Sequence, residues 1–572
     1  MKALLLHPAD DPIAGPWICQ PWSQVFDLGW AGEDSYRRWQ ERLNSTVGPL
    51  EKIGGQQFEE IRAAMACGSG FLLDQQGLDW WDLIALDLHQ NLEEILRLQS
   101  LAARLAPEDE VWVTRGCFET RALELILQRP IRRFRTGNYI SRKIRHYSNA
   151  IRKLSVSQLM EIAGDKYDTS YSFRKFLAPR PKPSSRPLIL LPSAYVNVSR
   201  TELQYAEMLP ESDFLLVATR HSGWMARPPA NVLVEKLASY VHGDESRREV
   251  VTLLSKWEHL KRSLMSNPLL SILVRSGALD GVPRLLQHGT SIRDAWLRVF
   301  DCQPISAVLC ADDGNRFTKI PLLIAAHRGL PAIACHHGAL DGRHRYRPKQ
   351  EYIFLSKGRM ERDYMIRICG VPAEDVEIGA PRRREHIPQD PRGRKVSIVF
   401  FSEPYEVLGA RCREIYAEIL PALATVAVSL NCRLVIKLHP FESRREREEL
   451  AKDALCAQPQ CDVQIVDGPL NNELLDEALC AVTILSTTAV DCTLRSIPVF
   501  LCAWLDYSRH GYLQQFAKFG AGIAVKCSAD LSRIPGMLED FVPKGTSDLY
   551  EPITPERLRS LLSNCASMAM AV

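Results

Sequence analysis

The chain has 572 residues, more than one ordinary hydrophobic core supports, so the sequence predicts at least two large domains. Its 71 Lys and Arg residues nearly balance its 68 Asp and Glu residues, and the net charge of +3 excludes the broadly basic surface of a nucleic-acid-coating protein. Apolar runs such as 420–430 are too short to cross a bilayer, and MKALLLHPADDP at the N-terminus lacks a signal-peptide core. We therefore expect a cytoplasmic protein.

Short apolar runs alternate with longer amphipathic stretches, which is typical of parallel sheets with crossover helices. A Pro-, Gly- and charge-rich stretch, 370–395, divides these runs into two series and is predicted to connect two domains. The first series of predicted strands comprises 2–6, 111–114, 188–191, 214–218, 307–310, 332–335 and 352–355, and the second 396–401, 434–438, 463–466, 482–485, 499–502 and 522–525.

The predicted fold class is α/β, with two Rossmann-like doubly wound domains. The first covers residues 1–375 and carries helical insertions from about 56 to 175 and from 229 to 298. The second covers 376–550. Residues 551–572 are predicted to form a closing C-terminal helix, because Thr554 is a natural N-cap and Pro555 suits the first helical position.

The segment 129–153 within the first insertion contains nine Lys and Arg residues, three aromatic residues and no acid. A solvated helix face is one interpretation. The other is peripheral contact with the inner face of a membrane, since basic residues mixed with aromatic ones suit an anionic lipid surface.

Sixteen scattered cysteines, with no CxxC pair, indicate reduced and mostly buried thiols. Cys335 beside two histidines does not form a recognisable zinc motif, and we expect no metal. The sequence has no GxGxxG, GxSxG or P-loop motif, so a dinucleotide cofactor and two large enzyme classes are not indicated.

Four predicted strand ends are polar, and ligands of open α/β sheets bind outside the carboxyl ends of strands. The first end carries Asp312, Asp313 and Gly314. An Asx turn explains one carboxylate, whereas two adjacent ones favour a shared proton and suit a general base. The second end carries His336, His337 and Gly338, where imidazole can titrate near neutral pH and glycine permits close approach of a ligand.

The third end, KLHPFE, places Lys437, His439, Pro440 and Glu442 after a strand, and the proline fixes the backbone beside the histidine. The fourth end places Ser486, Thr487 and Thr488 between a strand and a helix. A plain Ser/Thr cap is one interpretation, and a phosphate site with hydroxyl and backbone donors is the other.

These motifs, in the order GLPAIACHHG, EYIFLSKGRMERDYMIRICGVPAEDVEIGAPR, KLHPFE and LSTTAVDCTLRSIPVFL, resemble GT-B glycosyltransferase-type proteins of bacterial surface-polysaccharide synthesis. Within that group the sequence is most similar to CDP-glycerol glycerophosphotransferases, capsule Kdo transferases and bacterial sialyltransferases. The resemblance covers residues 305–501, about a third of the chain. It implies two domains that face each other across a cleft.

The resemblance also implies roles for individual residues. Asp312, Asp313 or His337 would act as the general base on the acceptor side. The donor nucleotide would be bound by Lys437, His439, Pro440, Glu442, Ser486, Thr487 and Thr488, with Glu442 near the ribose or base. The cleft would be lined by His336, Gly338, Arg343, Arg345, Ser402 and Glu403.

The implied reaction moves a sugar, or a glycerol-phosphate-like group, from a nucleotide-activated donor to a surface-glycan or lipid-linked acceptor. CMP- or CDP-linked donors are favoured over UDP-linked ones, with no cofactor, no metal and no nucleic acid. One alternative is a nucleotide-sugar 2-epimerase or hydrolase of the same fold. The other is a nucleotide-binding homologue without catalytic activity.

Overall fold

The computed structural model describes residues 1–134, 183–220, 223, 228–241, 247–338, 340, 342–346, 352–383, 396–543 and 545–563. Within these ranges the chain forms three separate sheets with flanking helices, and every pairing between their strands is parallel. The α/β class predicted from the sequence is therefore confirmed, with three sheets in place of the predicted two.

The strands account for most of the runs predicted from the sequence, with shifts of a few residues at their ends. They are β1 Lys2–Leu6, β2 Gln24–Asp27, β3 Thr46–Pro49, β4 Glu110–Val113, β5 Arg132–Arg133, β6 Leu188–Ser193, β7 Asp213–Ala218, β8 Val232–Lys236, β9 Ile305–Cys310, β10 Ala332–Cys335, β11 Ile353–Ser356, β12 Val376–Ile378, β13 Ser397–Phe401, β14 Arg433–Lys437, β15 Val463–Val466, β16 Ala478–Thr483, β17 Val499–Cys502 and β18 Ile523–Val525.

The α-helices of the described residues connect these strands or form the insertions. They are α1 Glu33–Leu43, α2 Gly55–Ala66, α3 Trp80–Ala102, α4 Phe118–Leu127, α5 Val196–Met208, α6 Arg247–Leu264, α7 Pro268–Arg275, α8 Val282–Cys302, α9 Arg316–His327, α10 Arg359–Asp363, α11 Cys412–Ser429, α12 Arg444–Ala454, α13 Asn472–Asp476, α14 Thr488–Thr493, α15 Tyr512–Lys518, α16 Ile534–Glu539 and α17 Pro555–Ser563. No helix of the described residues is long and apolar enough to cross a membrane.

Each sheet is doubly wound. The strand orders are β3-β2-β1-β4-β5, β12-β11-β10-β9-β6-β7-β8 and β15-β14-β13-β16-β17-β18. The direction of winding reverses between β1 and β4 in the first sheet, between β6 and β9 in the second, and between β13 and β16 in the third. These switch points are where open α/β sheets leave a crevice for a ligand.

The chain divides into two compact units that differ from the predicted domains. The first unit contains residues 1–53, 97–136 and 384–549, and so combines the first and third sheets. The second unit contains residues 54–96, 137–383 and 550–572, and is built on the second sheet. The predicted front domain of residues 1–375 thus holds two sheets, which the sequence did not reveal because β2 and β3 have only four residues each.

A buried ion pair explains why the first sheet belongs with the third. The Arg411 guanidinium, next to the start of α11, donates to the Asp27 carboxylate at the end of β2 over 2.8 to 3.0 Å. It also donates to the backbone carbonyl groups of His7, Pro8 and Asp10, which follow β1. One buried guanidinium therefore holds two strand ends of the first sheet against a helix of the third.

The stretch 370–395, predicted to connect two domains, contains the border between the two units at residues 383 and 384. It also contains β12, which pairs with β11 as an edge strand of the second sheet. The predicted C-terminal helix forms as α17, and the Thr554 hydroxyl accepts the Arg557 N–H over 3.2 Å, as expected of an N-cap. This helix belongs to the second unit, because Leu558, Leu561 and Leu562 pack into the core of the second sheet.

Candidate functional site

The switch point of the second sheet brings together three polar strand ends. Tyr195 follows β6, Asp312 follows β9, and His337 follows β10, which pairs directly with β9. An isolated antiparallel bridge between Asp312 and His336 joins the last two ends. The sequence-based expectation that the Asp-Asp and His-His motifs lie side by side is therefore met within this sheet.

The hydrogen bonds of His337 define which ring nitrogen carries the proton. Its Nδ1 lies 3.1 Å from the Ala311 carbonyl oxygen, which can only accept, so Nδ1 is the protonated nitrogen. Its Nε2 lies 2.7 Å from the Tyr195 hydroxyl, and the two rings meet edge to face at 5.0 Å. In the neutral ring, Nε2 is therefore the acceptor of the Tyr195 O–H.

His336 is half-buried beside His337, and the two rings stack with centroids 4.9 Å apart. The Nδ1 atom of His336 accepts the Gly338 N–H over 3.1 Å, so the neutral ring carries its proton on Nε2. The predicted cleft residue Gly338 thus has a local role, because its N–H orients the His336 ring. The paired histidines are opposite tautomers: His336 is an Nε2–H donor and His337 an Nε2 acceptor.

The two adjacent aspartates have different environments. Asp313 is fully buried, and its Oδ2 accepts the Tyr352 hydroxyl over 2.9 Å and bonds to His344 Nε2 over 3.1 Å. Asp312 is 6% exposed, and one of its carboxylate oxygens accepts the Gly314 N–H over 3.2 Å. Asp313, predicted as a general base, is therefore placed in the interior, where its bonds stabilise the loop after β10.

A buried carboxyl that the sequence did not reveal lies behind Asp312. Glu202, in the middle of α5, is completely buried, and its Oε1 accepts the Ala311 N–H over 3.2 Å. Burial raises the pKa of Glu202 well above its usual range, and the nearby Asp312 charge raises it further. The folded protein therefore favours the protonated form of the Glu202 carboxyl.

The loop after β10 contains Arg343 and Arg345, which were predicted to line a cleft. The Arg345 guanidinium stacks over Phe58 of α2 at 3.6 Å, and the buried Tyr346 donates to Glu93 of α3 over 2.9 Å. The Arg343 side chain lies outside the described residues. The loop therefore packs on the helical insertion of the same unit, which explains its aromatic and charged residues.

Asp312, His336 and His337 are close enough to be considered as metal ligands, since one potential ligand atom from each lies within 4.8 Å of the others. The hydrogen bonds of His336 and His337 argue against a metal site. His336 uses its Nδ1 lone pair for the Gly338 N–H, and His337 uses its Nε2 lone pair for Tyr195. A metal would have to displace both hydrogen bonds, so these residues do not fit a preformed metal site.

The switch point of the third sheet forms a second polar edge, in the first unit. Ser402 and Glu403 follow β13, His439 follows its neighbour β14, and Ser486 to Thr488 follow β16 on the other side. Adjacent strands lie about 4.8 Å apart, so β14 and β16 end about 10 Å from each other. All three predicted motifs of the rear domain therefore lie at one edge.

His439 is a half-buried neutral donor. Its Nδ1 accepts the Phe441 N–H over 3.2 Å, which leaves the proton on Nε2. Burial lowers the pKa of His439, and the charge of Lys437 lowers it further. No described residue bonds to Nε2, and Pro440 follows in the exposed turn, so this N–H can reach a ligand.

Lys437 and Glu442, which were predicted to bind the donor, form hydrogen bonds with groups of the protein itself. The Lys437 ammonium is buried and donates to the carbonyl groups of Leu438 over 2.8 Å and Gly468 over 2.6 Å. The Glu442 side chain is completely buried and accepts from the His439 N–H over 2.7 Å and the Ser402 hydroxyl over 2.7 Å. Both residues therefore position the His439 turn.

Arg447 of α12 completes this arrangement. Its Nε donates to Glu442 over 2.6 Å, and its two terminal nitrogens donate to Glu406 over 2.8 and 2.7 Å. The loop after β13 and the turn after β14 are thereby joined. Sequence reasoning missed Arg447, because it lies in a run of charged residues that is typical of a solvated helix.

Glu403, predicted to line the cleft, is also directed inward. One carboxylate oxygen accepts the Leu485 N–H over 2.8 Å and the Thr483 hydroxyl over 3.2 Å, and the other accepts the Tyr507 hydroxyl. Burial raises the pKa of Glu403 above its usual range. This carboxyl therefore ties the ends of β13 and β16 together at the switch point.

The three hydroxyl residues after β16 are half-buried at the start of α14. Ser486 and Thr488 bond to each other over 2.9 Å, and Ser486 Oγ also accepts the Thr488 N–H over 3.4 Å. The Thr487 hydroxyl makes no hydrogen bond with any described residue. Ser486 and Thr488 thus shape the turn, while Thr487 retains a donor.

No protein-family model matches the chain, and no curated protein matches it. Similar solved structures include the UDP-GlcNAc 2-epimerase of Methanocaldococcus jannaschii, with 10% identity and a TM-score of 0.40 over 66% of this chain and 99% of that one. A glycosyltransferase of Rickettsia africae is 8% identical, with a TM-score of 0.37 over 66% and 94%. HepE of Anabaena, crystallised with UDP and glucose, is 9% identical, with a TM-score of 0.37 over 65% and 96%. Similarity at this level assigns no activity to this chain.

Proposed function

We propose that the protein is a glycosyltransferase of the GT-B type that uses a nucleotide-activated sugar as donor. The observation that carries the proposal is a pair of donors at the switch point of the third sheet. The His439 Nε2–H and the Thr487 hydroxyl have no partner among the described residues, although the groups around them are tightly bonded. Unused donors at such an edge suit an anionic phosphate.

The leaving group of a nucleotide-sugar donor is a phosphate, whose charge increases as its bond to the sugar breaks. A neutral His439 donates one hydrogen bond to this oxygen and Thr487 donates another, and both are present before the reaction starts. Donors that are already oriented toward a developing charge lower the barrier. In this proposal, His439 and Thr487 of the first unit stabilise the departing nucleotide, and no metal is needed.

Removal of the acceptor proton is assigned to the edge of the second sheet. His337 is the candidate base with the best access, because Asp313 is fully buried and Asp312 is only 6% exposed. The Asp312 carboxylate lies within 4.8 Å of a His337 ring nitrogen and favours the imidazolium that forms. The proposed acceptor is a hydroxyl of a surface glycan or a lipid-linked sugar.

The sequence resemblance favours CMP- or CDP-linked donors over UDP-linked ones and supports a role in polysaccharide synthesis. Product analysis tests the reaction type. The purified protein is incubated with CMP-, CDP- and UDP-activated sugars, with and without a glycan acceptor. Transfer that depends on the acceptor supports the proposal. Conversion of the donor sugar at an equal rate without acceptor would indicate an epimerase or a hydrolase.

We also propose that the basic segment 129–153 contacts an anionic membrane surface. Most of this segment lies outside the described residues, so the proposal rests on its composition. Binding to vesicles should rise with the fraction of anionic lipid and fall with salt, because exposed charges are screened. Equal binding to neutral vesicles would contradict it.

A further inference from the structure

Tyr195 is held in a fixed position at the switch point of the second sheet. Its carbonyl accepts the Val198 N–H over 3.0 Å and the Ser193 hydroxyl over 3.3 Å, at the junction of β6 and α5. The Ser193 and Ser199 hydroxyls bond to each other over 2.6 Å directly behind it. The backbone is therefore rigid where the tyrosine side chain extends to His337.

The tautomer of His337 restricts how it can act as a base. A neutral imidazole has one nitrogen lone pair in the ring plane, and in His337 this lone pair is on Nε2. Tyr195 occupies it with a hydrogen bond of 2.7 Å, while the Ala311 carbonyl holds the proton on Nδ1. A substrate hydroxyl can therefore pass its proton to His337 only through the Tyr195 oxygen, or after breaking this bond.

We propose that Tyr195 is the catalytic residue that contacts the acceptor hydroxyl, and that it relays the acceptor proton to His337. This inference rests on the proposed function, since it concerns the same transfer. The class of acceptor follows from it: the nucleophile is a neutral alcohol, such as a sugar or glycerol hydroxyl, because the relay has no role for an acceptor that is already an anion.

The acceptor oxygen forms a bond to the transferred carbon, and the bond between that carbon and the nucleotide phosphate breaks, with the electron pair leaving on the phosphate. The acceptor proton moves to the Tyr195 oxygen as the Tyr195 proton moves to His337 Nε2. Tyr195 is neutral before and after the step, and His337 becomes an imidazolium.

The surroundings suit this imidazolium. Its Nδ1–H continues to donate to Ala311, and the Asp312 carboxylate lies within 4.8 Å of a ring nitrogen. The His336 ring stacks on His337, and its Nδ1 accepts the Gly338 N–H, so in its neutral form it carries its proton on Nε2. The positive charge that forms on His337 is thus stabilised by the Ala311 carbonyl and the Asp312 carboxylate.

The first test needs no substrate. Nitrogen-15 spectra of histidine-labelled protein, with His337 assigned through His337→Gln, report the tautomer and the hydrogen bond at Nε2. We expect the Nδ1–H tautomer, and a shift of the Nε2 resonance in Tyr195→Phe. Tyr550→Phe is the matched control, because this half-buried hydroxyl donates to the Pro381 carbonyl in the same unit and should leave His337 unchanged. An Nε2–H tautomer, or no change in Tyr195→Phe, overturns the inference.

The second test measures transfer with a donor identified by calorimetry. Tyr195→Phe should lower kcat by tenfold or more with donor affinity unchanged, and Tyr195→Phe/His337→Gln should be little slower than His337→Gln. In mixtures of H2O and D2O, the wild-type rate should follow the curve of two moving protons and the Tyr195→Phe rate a straight line. Normal kcat in Tyr195→Phe overturns the relay, whereas failure to bind any nucleotide argues against the proposed function itself.

Discussion

His439 and Thr487 are the two residues whose side chains remain available at the edge of the third sheet. We expect His439→Ala and Thr487→Ala each to weaken nucleotide binding by about 1 to 3 kcal/mol, the range for one hydrogen bond to a charged group. Thr488→Ala should cost less, because its hydroxyl already bonds to Ser486. Calorimetric titration measures these affinities.

Thr425→Ala serves as the control for this series. Thr425 is exposed on α11 of the same unit, and its hydroxyl bonds only to the Pro421 carbonyl in the preceding turn. Its replacement should leave nucleotide affinity unchanged. If the double variant His439→Ala/Thr487→Ala binds nucleotides with unaltered affinity, the turn after β16 only caps a helix and does not bind phosphate.

Glu202 predicts a specific dependence of stability on pH. Its pKa is raised by burial in the folded protein, while in the unfolded chain it titrates near 4.5. Above that pH the unfolded chain releases a proton that the folded protein keeps, so the free energy of unfolding falls as pH rises. The fall is about 1.4 kcal/mol per unit over the interval between the two pKa values.

Glu202→Gln removes this titration and keeps an acceptor for the Ala311 N–H. We expect the variant to be more stable than the wild type, by a margin that widens as pH rises above about 4.5. Urea unfolding at several pH values measures the margin. Glu207→Gln, exposed on the same helix, should show no such trend. A margin that stays constant between pH 5 and 8 would contradict a raised pKa of Glu202 in the folded protein.

Sequence analysis predicted best which polar residues lie at strand ends. His337, His439 and Thr487 follow apolar runs, and the position of such a residue at the carboxyl edge follows from the direction of the strand. Tyr195 was missed because its partner His337 is 142 residues away, and no local pattern marks the contact. Asp313 was predicted as a general base, and Lys437 and Glu442 as donor-binding residues, because a sequence does not show whether a charged side chain has an internal partner.

At the scale of elements, Arg447 joins the loop after β13 to the turn after β14. Arg447→Met leaves the fully buried Glu442 without its cation, which typically costs about 3 kcal/mol in the free energy of unfolding. Hydrogen exchange should also accelerate in residues 403–410 and 439–443. Nucleotide affinity should fall as well, because Glu442 orients His439 through its backbone N–H.

Arg444→Met is the comparison for this variant. Arg444 lies on the same helix and pairs with Glu448 over 2.8 Å, but both side chains are about half exposed. Such a pair contributes about 0.3 to 0.5 kcal/mol. Equal loss of stability in the two variants would show that Arg447 does not join the two loops.

Strand length decided which elements could be predicted. β1, β10, β15 and β17 were predicted with the observed bounds, because each is a compact and mostly apolar run. β1, β10 and β17 are almost completely buried, as expected inside a parallel sheet, whereas β15 is a half-exposed edge strand. β2, β3 and β5 have two to four residues and lie among polar neighbours, so they give no periodic pattern. β2 pairs with β1 and β3, and β5 pairs with β4.

At the scale of the whole molecule, the missed strands changed the predicted domain division. Without β2 and β3 the first 136 residues appeared to be an extension of the front domain. The structure shows a complete five-stranded sheet there, held to the third sheet by Arg411 and by the Ser35 hydroxyl, which donates to Glu418 of α11 over 2.6 Å. Side-chain contacts across more than 380 residues of sequence decide this division, and a sequence pattern does not contain them.

We propose above all that the edge of the third sheet binds the phosphate of a nucleotide. Hydrogen exchange, measured by mass spectrometry with saturating CMP, CDP, UDP or GDP, tests it directly over the whole molecule. A ligand at a hundred times its dissociation constant adds about 2.7 kcal/mol to the folded state, and its contacts slow exchange locally. We predict that at least one nucleotide protects peptides containing His439 and Ser486 to Thr488, and that His439→Ala/Thr487→Ala loses this protection. Exchange that is unchanged by all four nucleotides, or protection confined to other parts of the chain, would contradict the account.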